Sequence, residues 1–167
     1  MKNMIGSILK NETKYRWILG ILIVLWCALI FSMSSETADM SAERSKGITN
    51  NVSRYLLSLF GIEECTPQLL GLFKFIVRKT AHVFLYFILA IMSSLFVYTY
   101  KISFELRYIF SFAFCVLYAV SDEIHQLFVE GRSGSGIDVL IDSIGIVFGI
   151  LLVRSIYHIY KSRKISK

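Results

Sequence analysis

SDEIHQLFVEGRSGSGIDVLID, Ser121 to Asp142, decides how this chain folds. It lies between two strongly apolar runs, yet it holds Asp122, Glu123, His125, Gln126, Glu130, Arg132, Asp138 and Asp142. Read as one polar loop, it leaves its neighbours too short to cross a bilayer. The uncharged part of the run before it, Tyr108 to Ser121, makes about 21 Å of helix. The uncharged part of the run after it, Ser143 to Val153, is shorter still. A hydrocarbon core is about 30 Å thick. Both helices must therefore extend into the stretch. Asp122 and His125 then reach membrane depth from one side, and Asp142 and Asp138 from the other. Only Val129 to Gly136 needs to be the turn.

Working outward, the chain is 55% hydrophobic over 167 residues, with a mean hydropathy of +0.61. Soluble domains hold about 45–50% apolar residues. Four apolar runs stand out: Trp17–Met33, Thr80–Tyr100, Leu106–Phe128 and Ile137–Ile156. Their lengths suit bilayer spans. The expected fold class is all-α: a polytopic membrane protein with four transmembrane helices, in one domain over residues 1–167. The first run follows Lys10, Lys14 and Arg16, as a signal peptide would. It exceeds the usual apolar core of such a peptide, so a retained anchor is expected.

Between the first two runs, Met40 to Phe60 places Ile48, Val52, Tyr55, Leu56 and Leu59 at helical spacing. Glu43, Lys46, Asn50 and Arg54 fall on the other face. An amphipathic helix is expected here, lying on the membrane or on the bundle, stopped by Gly61. Thr66–Gln68 (TPQ) starts a second short helix.

Four spans put both termini on one side. The N-terminal segment, Lys101–Arg107 and the C-terminal tail hold 11 of the 18 basic residues and only Glu12 and Glu105 of the 12 acids. Lys and Arg mark the cytoplasmic side, so both termini are expected inside. The net charge of +6 is then a topology signal. No nucleic-acid-binding pattern accompanies it. Cys27, Cys65 and Cys115 lack the spacing of a zinc site or a disulfide framework.

This topology brings three sets of ionisable groups to one outer level: Arg78, Lys79 and His82, then Asp122 to Gln126, then Arg132 to Asp142. Asp122, His125, Gln126 and Val129 share one helical face by spacing. Asp138 and Asp142 continue into Gly145 and Gly149, a small-xxx-small row that admits another helix closely. That row also makes a homodimer an option. A charge at the bilayer centre costs about 2.5–3.5 kcal/mol on insertion scales, so such groups face partners or a cavity. Two readings fit: a salt-bridge network that locks the bundle, or a polar site open to the outer face. In the second, His82, Asp122, His125 and Asp138 are the candidates to move protons. Arg78, Lys79, Glu123, Gln126, Arg132 and Asp142 are the candidates to bind substrate, with the three cations suited to an anionic group. No ligand spacing is diagnostic of a metal, and SGSG is not a Walker loop. No residue pattern assigns a cofactor.

Two stretches carry a resemblance. RKTAHVFLY (Arg78 to Tyr86) and SDEIHQLFVEGRSGSGIDVLIDSIG (Ser121 to Gly145) resemble the VanZ-like family of bacterial membrane proteins. Asp122, Glu123, Gln126, Phe128, Gly131, Arg132 and Asp138 match the family's hairpin pattern in order. Ser34–Ser35 fits a serine pair after the first helix. Leu85 departs from the family pattern of the second helix, where many members carry a glutamate before the tyrosine. The resemblance implies a four-helix protein of the bacterial cell membrane, associated with low-level resistance to the glycopeptide teicoplanin. The expected partners are the lipid bilayer and an anionic lipid or lipid-linked envelope precursor.

Overall fold

A computed structural model of the chain describes residues 11–59 and 66–165. Gly61, the expected helix stop, and Cys65 lie outside the described residues, as does Lys10 of the basic flank. The described residues form five helices and no strand. They are α1 (Glu12–Ser34), α2 (Ala38–Leu59), α3 (Pro67–Val97), α4 (Phe104–Gln126) and α5 (Gly136–Ile165). All but α2 are long and apolar enough to cross a membrane. The protein is an all-α polytopic membrane protein.

The main correction to the sequence reading concerns α3. The short helix expected from Thr66 and the span expected from Thr80 are one helix of 31 residues. Its start is the expected one. The Thr66 side chain accepts a hydrogen bond from the Leu69 N–H at 3.3 Å, with Pro67 in the first turn. No breaker then follows except Gly71, which a helix tolerates at about 1 kcal/mol. Arg78, Lys79 and His82 therefore sit in the body of a helix, on a scaffold stiffer than a helix end. The other helices shift at their ends only. α1 begins at Glu12, α4 begins at Phe104 and ends at Gln126, and α5 runs on to Ile165.

α3 contacts every other helix. Its buried face runs through Leu85, Tyr86, Leu89, Ala90 and Ser93. α5 runs parallel to it and in step. Lys79 meets Asp138, His82 approaches Asp142, Gly145 lies on Val83, and Gly149 lies on Phe87. The glycine row is thus occupied within the chain. A Cβ on Gly145 would overlap the Val83 carbonyl oxygen, and one on Gly149 would come within 2.6 Å of the Phe87 carbonyl oxygen. The dimer option based on Gly145 and Gly149 loses that surface for this reason.

The end of the bundle that gathers α1's start, the 98–103 connection and α5's last turns is rich in cations and tyrosines. Arg16 donates to the Thr99 carbonyl at 2.8 Å and lies 4.1 Å from the Tyr100 ring centre. Arg107 covers Tyr98, and Arg154 covers Tyr108. Aromatic rings and cations of this kind suit a membrane–water boundary. Between the two ends, Val24, Leu117, Leu140 and Phe148 are all more than 60% exposed, as a lipid-facing surface requires.

Candidate functional site

The opposite end of the bundle holds the ionisable groups. α4 delivers Asp122, Glu123 and Gln126 to the interior, each at most 6% exposed. The chain then turns through residues 127–135 and starts α5. Gly131 takes a left-handed φ of 72°, with Ala38 at the start of α2 packed against it. Glu123 holds the turn from inside, accepting the Ser135 N–H at 2.8 Å. Gly134 fits closely over α4, where a Cβ would strike the Glu123 carbonyl oxygen.

Arg132 reaches away from the carboxylates. Its Nε donates to the Glu36 carbonyl at 3.0 Å and its Nη2 to the Met33 carbonyl at 3.4 Å. These carbonyls sit at the corner between α1 and α2. Burial first, and the nearby Arg78 second, pull Arg132 below its ordinary pKa. A guanidinium still stays charged.

Lys79 forms an ion pair with Asp138, both about four-fifths buried. Of the three cations, Lys79 is the one that pairs with a carboxylate of the site, while Arg132 holds backbone carbonyls. This pair should act as a structural unit. Breaking it singly, as Lys79→Asp or Asp138→Lys, is expected to cost about 2 kcal/mol, less than the ~3–5 for a fully buried pair. The exchange Lys79→Asp with Asp138→Lys should recover most of that loss in thermal unfolding of the purified protein. A double variant no better than its parents would show that the pair does not hold the helices.

Deeper on α5, Asp142 is 2% exposed, and His82 Nδ1 lies 4.0 Å from its Oδ2. Gln126 donates to Asp122 Oδ2 at 3.3 Å. Asp122 Oδ1, Asp142 Oδ2 and the Tyr86 hydroxyl are buried without a hydrogen-bond partner among the described residues. Buried polar groups are usually satisfied, so these three unpaired atoms single out the cluster as a candidate site.

His82 and Gln126 also border a polar cavity of about 60 Å³. Arg78, Lys79, His82, Glu123, Gln126, Arg132 and Asp138 line it, with Gly131 and Ser133 of the turn. The structure thus brings together seven of the ten candidate residues, with Asp142 and Asp122 just behind them. Among the described residues, Arg78 alone of the three cations has neither a carboxylate within 4.0 Å nor a hydrogen bond of its own.

His125 is the exception. It stacks on Phe31 at 4.4 Å between ring centres, and its Nε2 lies 3.0 Å from Ser35 Oγ. It faces α1, not the cavity. The inward face of α4 is centred on Asp122, Glu123 and Gln126, and Val129 belongs to the turn.

Two residues outside the ten candidates belong beside them: Tyr86, which by spacing shares the face of Arg78 and His82, and Ser34 of the serine pair, 1% exposed with its hydroxyl unpaired among the described residues. Leu85 packs in the core, and its carbonyl accepts the Trp26 N–H at 3.0 Å. No three His, Cys, Asp or Glu side chains among the described residues gather as metal ligands.

The sequence profile of the VanZ/LLP1 family matches residues 19–158. The chain belongs to the VanZ/LLP1 family. The match runs from α1 to α5 and takes in every residue bordering the cavity. No curated protein and no solved structure matches the chain. In this VanZ/LLP1 protein the turn between α4 and α5 therefore has two duties. It closes the cavity, and through Arg132 it ties the last hairpin to α1.

Proposed function

We propose that the cavity seats the charged end of an anionic lipid, or of a lipid-linked component of the cell envelope, at the outer leaflet of a bacterial cell membrane. The observation that carries this reading is Arg78, a cation in the cavity wall with no carboxylate partner in reach among the described residues. A guanidinium in that state is suited to phosphate. Ligand pockets for whole small molecules usually measure about 300–1,000 Å³. A space of about 60 Å³ accepts one charged group only, and the remainder of the ligand lies outside it. A lipid head group has that shape. The excess of Lys and Arg at the end holding the termini supports cytoplasmic termini, and so an outward cavity. His82 beside Asp142 offers a proton acceptor and donor for a reaction on the bound group. Action on the outer envelope fits the low-level teicoplanin resistance associated with VanZ-like proteins.

A non-catalytic binding or organising role is the second reading. Three observations favour it: Lys79 is committed to Asp138, Arg132 to backbone carbonyls, and Glu123 to the turn. Lipid extracts from cells overproducing the protein and from cells lacking its gene separate the two. Catalysis predicts a changed phosphate-bearing species by mass spectrometry, abolished by His82→Gln. Binding alone predicts an unchanged profile, with teicoplanin tolerance still dependent on the gene. No change in either would remove the proposal.

A further inference from the structure

α2 has three sides. At 100° per residue, Thr49, Ser53 and Leu57 form one stripe, and they are buried in the protein. Glu43, Gly47, Arg54 and Ser58 form a second, exposed and polar. Ile48, Val52, Tyr55 and Leu59 form the third, about 120° from each of the others. This apolar stripe is exposed, with Tyr55 at 65% and Leu59 at 62%. From its spacing, either the membrane or the bundle is expected to cover this stripe. The bundle takes the Thr49 stripe instead, and leaves the apolar one free.

We infer that the apolar stripe of α2 is embedded in the membrane interface on the side of the polar cavity. Three features select lipid as the occupant. A helix that divides its surface among protein, water and a third, apolar partner matches a boundary between phases. Tyr55 carries a ring with a polar tip, the type enriched at head-group depth, while Arg54 lies on the polar stripe and Arg44 is ion-paired with Glu36. The first turns of α3 expose apolar side chains as well, Leu72, Phe75 and Ile76. At 31 residues, α3 is about 46 Å long, well beyond a ~30 Å hydrocarbon core. Its first turns thus overhang the core on the cavity side. α2 joins the cavity wall directly: Ala38 N–H donates to the Glu130 carbonyl at 3.3 Å, next to Gly131. The leaflet therefore anchors one edge of the site.

The test is nitroxide labelling of the full chain in vesicles of phosphatidylethanolamine and phosphatidylglycerol, with Cys27, Cys65 and Cys115 replaced by alanine. Labels go on Val52→Cys, Tyr55→Cys and Leu59→Cys, and on Glu43→Cys, Gly47→Cys and Ser58→Cys. These positions are all exposed, so folding is expected to survive, as checked by gel filtration. The first set should favour collision with oxygen over a water-soluble nickel chelate several-fold more than the second. Equal ratios for the two sets would overturn the proposal. So would spin–spin broadening at Val52 that disappears on dilution with unlabelled chain, because a second copy would then cover the stripe.

Discussion

Gly145→Val should leave little folded protein. A Cβ at this position overlaps the Val83 carbonyl oxygen and comes within 3.2 Å of the Phe87 amide nitrogen. Both are backbone atoms of α3, so no side chain can swing aside. The helices must part instead, and they are the two that carry Lys79 with Asp138 and His82 with Asp142. Overpacking usually costs about 1–3 kcal/mol. A branched side chain against backbone belongs at or above the top of that range. Thermal unfolding in detergent checks this, with Gly47→Ala as the control. A Cβ on Gly47 meets nothing within 4 Å, so that change should be neutral or stabilise α2 by about 0.5–1 kcal/mol. A wild-type melting profile for Gly145→Val would mean that α3 and α5 are further apart than described.

Arg78→Gln should do the reverse, with folding kept and binding lost. No ion pair within the described residues depends on Arg78, so its removal strands no carboxylate. A charge-assisted hydrogen bond to a ligand contributes about 1.5–3 kcal/mol, and each 1.4 kcal/mol is tenfold in affinity. Affinity for a short-chain phosphatidic acid, titrated into the purified protein, should therefore fall about ten- to a hundredfold. Arg78→Lys should lie between, since an ammonium keeps the charge and loses the planar two-point grip. Teicoplanin tolerance in a host lacking the native gene should follow the same order. If Arg78→Gln folds and binds as the parent does, the cavity is not an anion seat.

Much of this architecture is legible in the sequence. Hydropathy alone located four spans, and span arithmetic correctly moved Asp122 and Asp142 out of the loop into helices. Partner choice was not legible, for a consistent reason. Lys79, Arg132 and Asp138 announce opposite charges in sequence, but which cation meets Asp138 depends on the packing of α3 on α5. Arg132 chose carbonyl groups, and every residue offers a carbonyl, so no pattern marks the chosen ones. The inward face of α4 was placed about 50° off, because spacing admits both His125 and Glu123 as neighbours of Asp122. Only α1, which draws His125 toward Phe31 and Ser35, settles the rotation. The continuity of α3 was missed because the charges at Lys74, Arg78 and Lys79 look like a boundary in hydropathy, although they break no hydrogen bond of a helix.

The grip of Arg132 on Glu36 spans 96 positions of sequence. During synthesis the corner after α1 waits for its guanidinium until nearly the whole chain has left the ribosome. The Lys79 and His82 side chains likewise wait for Asp138 and Asp142. A nascent chain stalled before α5 would hold uncompensated charges at the bilayer edge, exposed to the quality-control proteases of the membrane. Completion of the last hairpin is then the step that both pairs Lys79 and creates the cavity, so truncated forms should be cleared rather than accumulate.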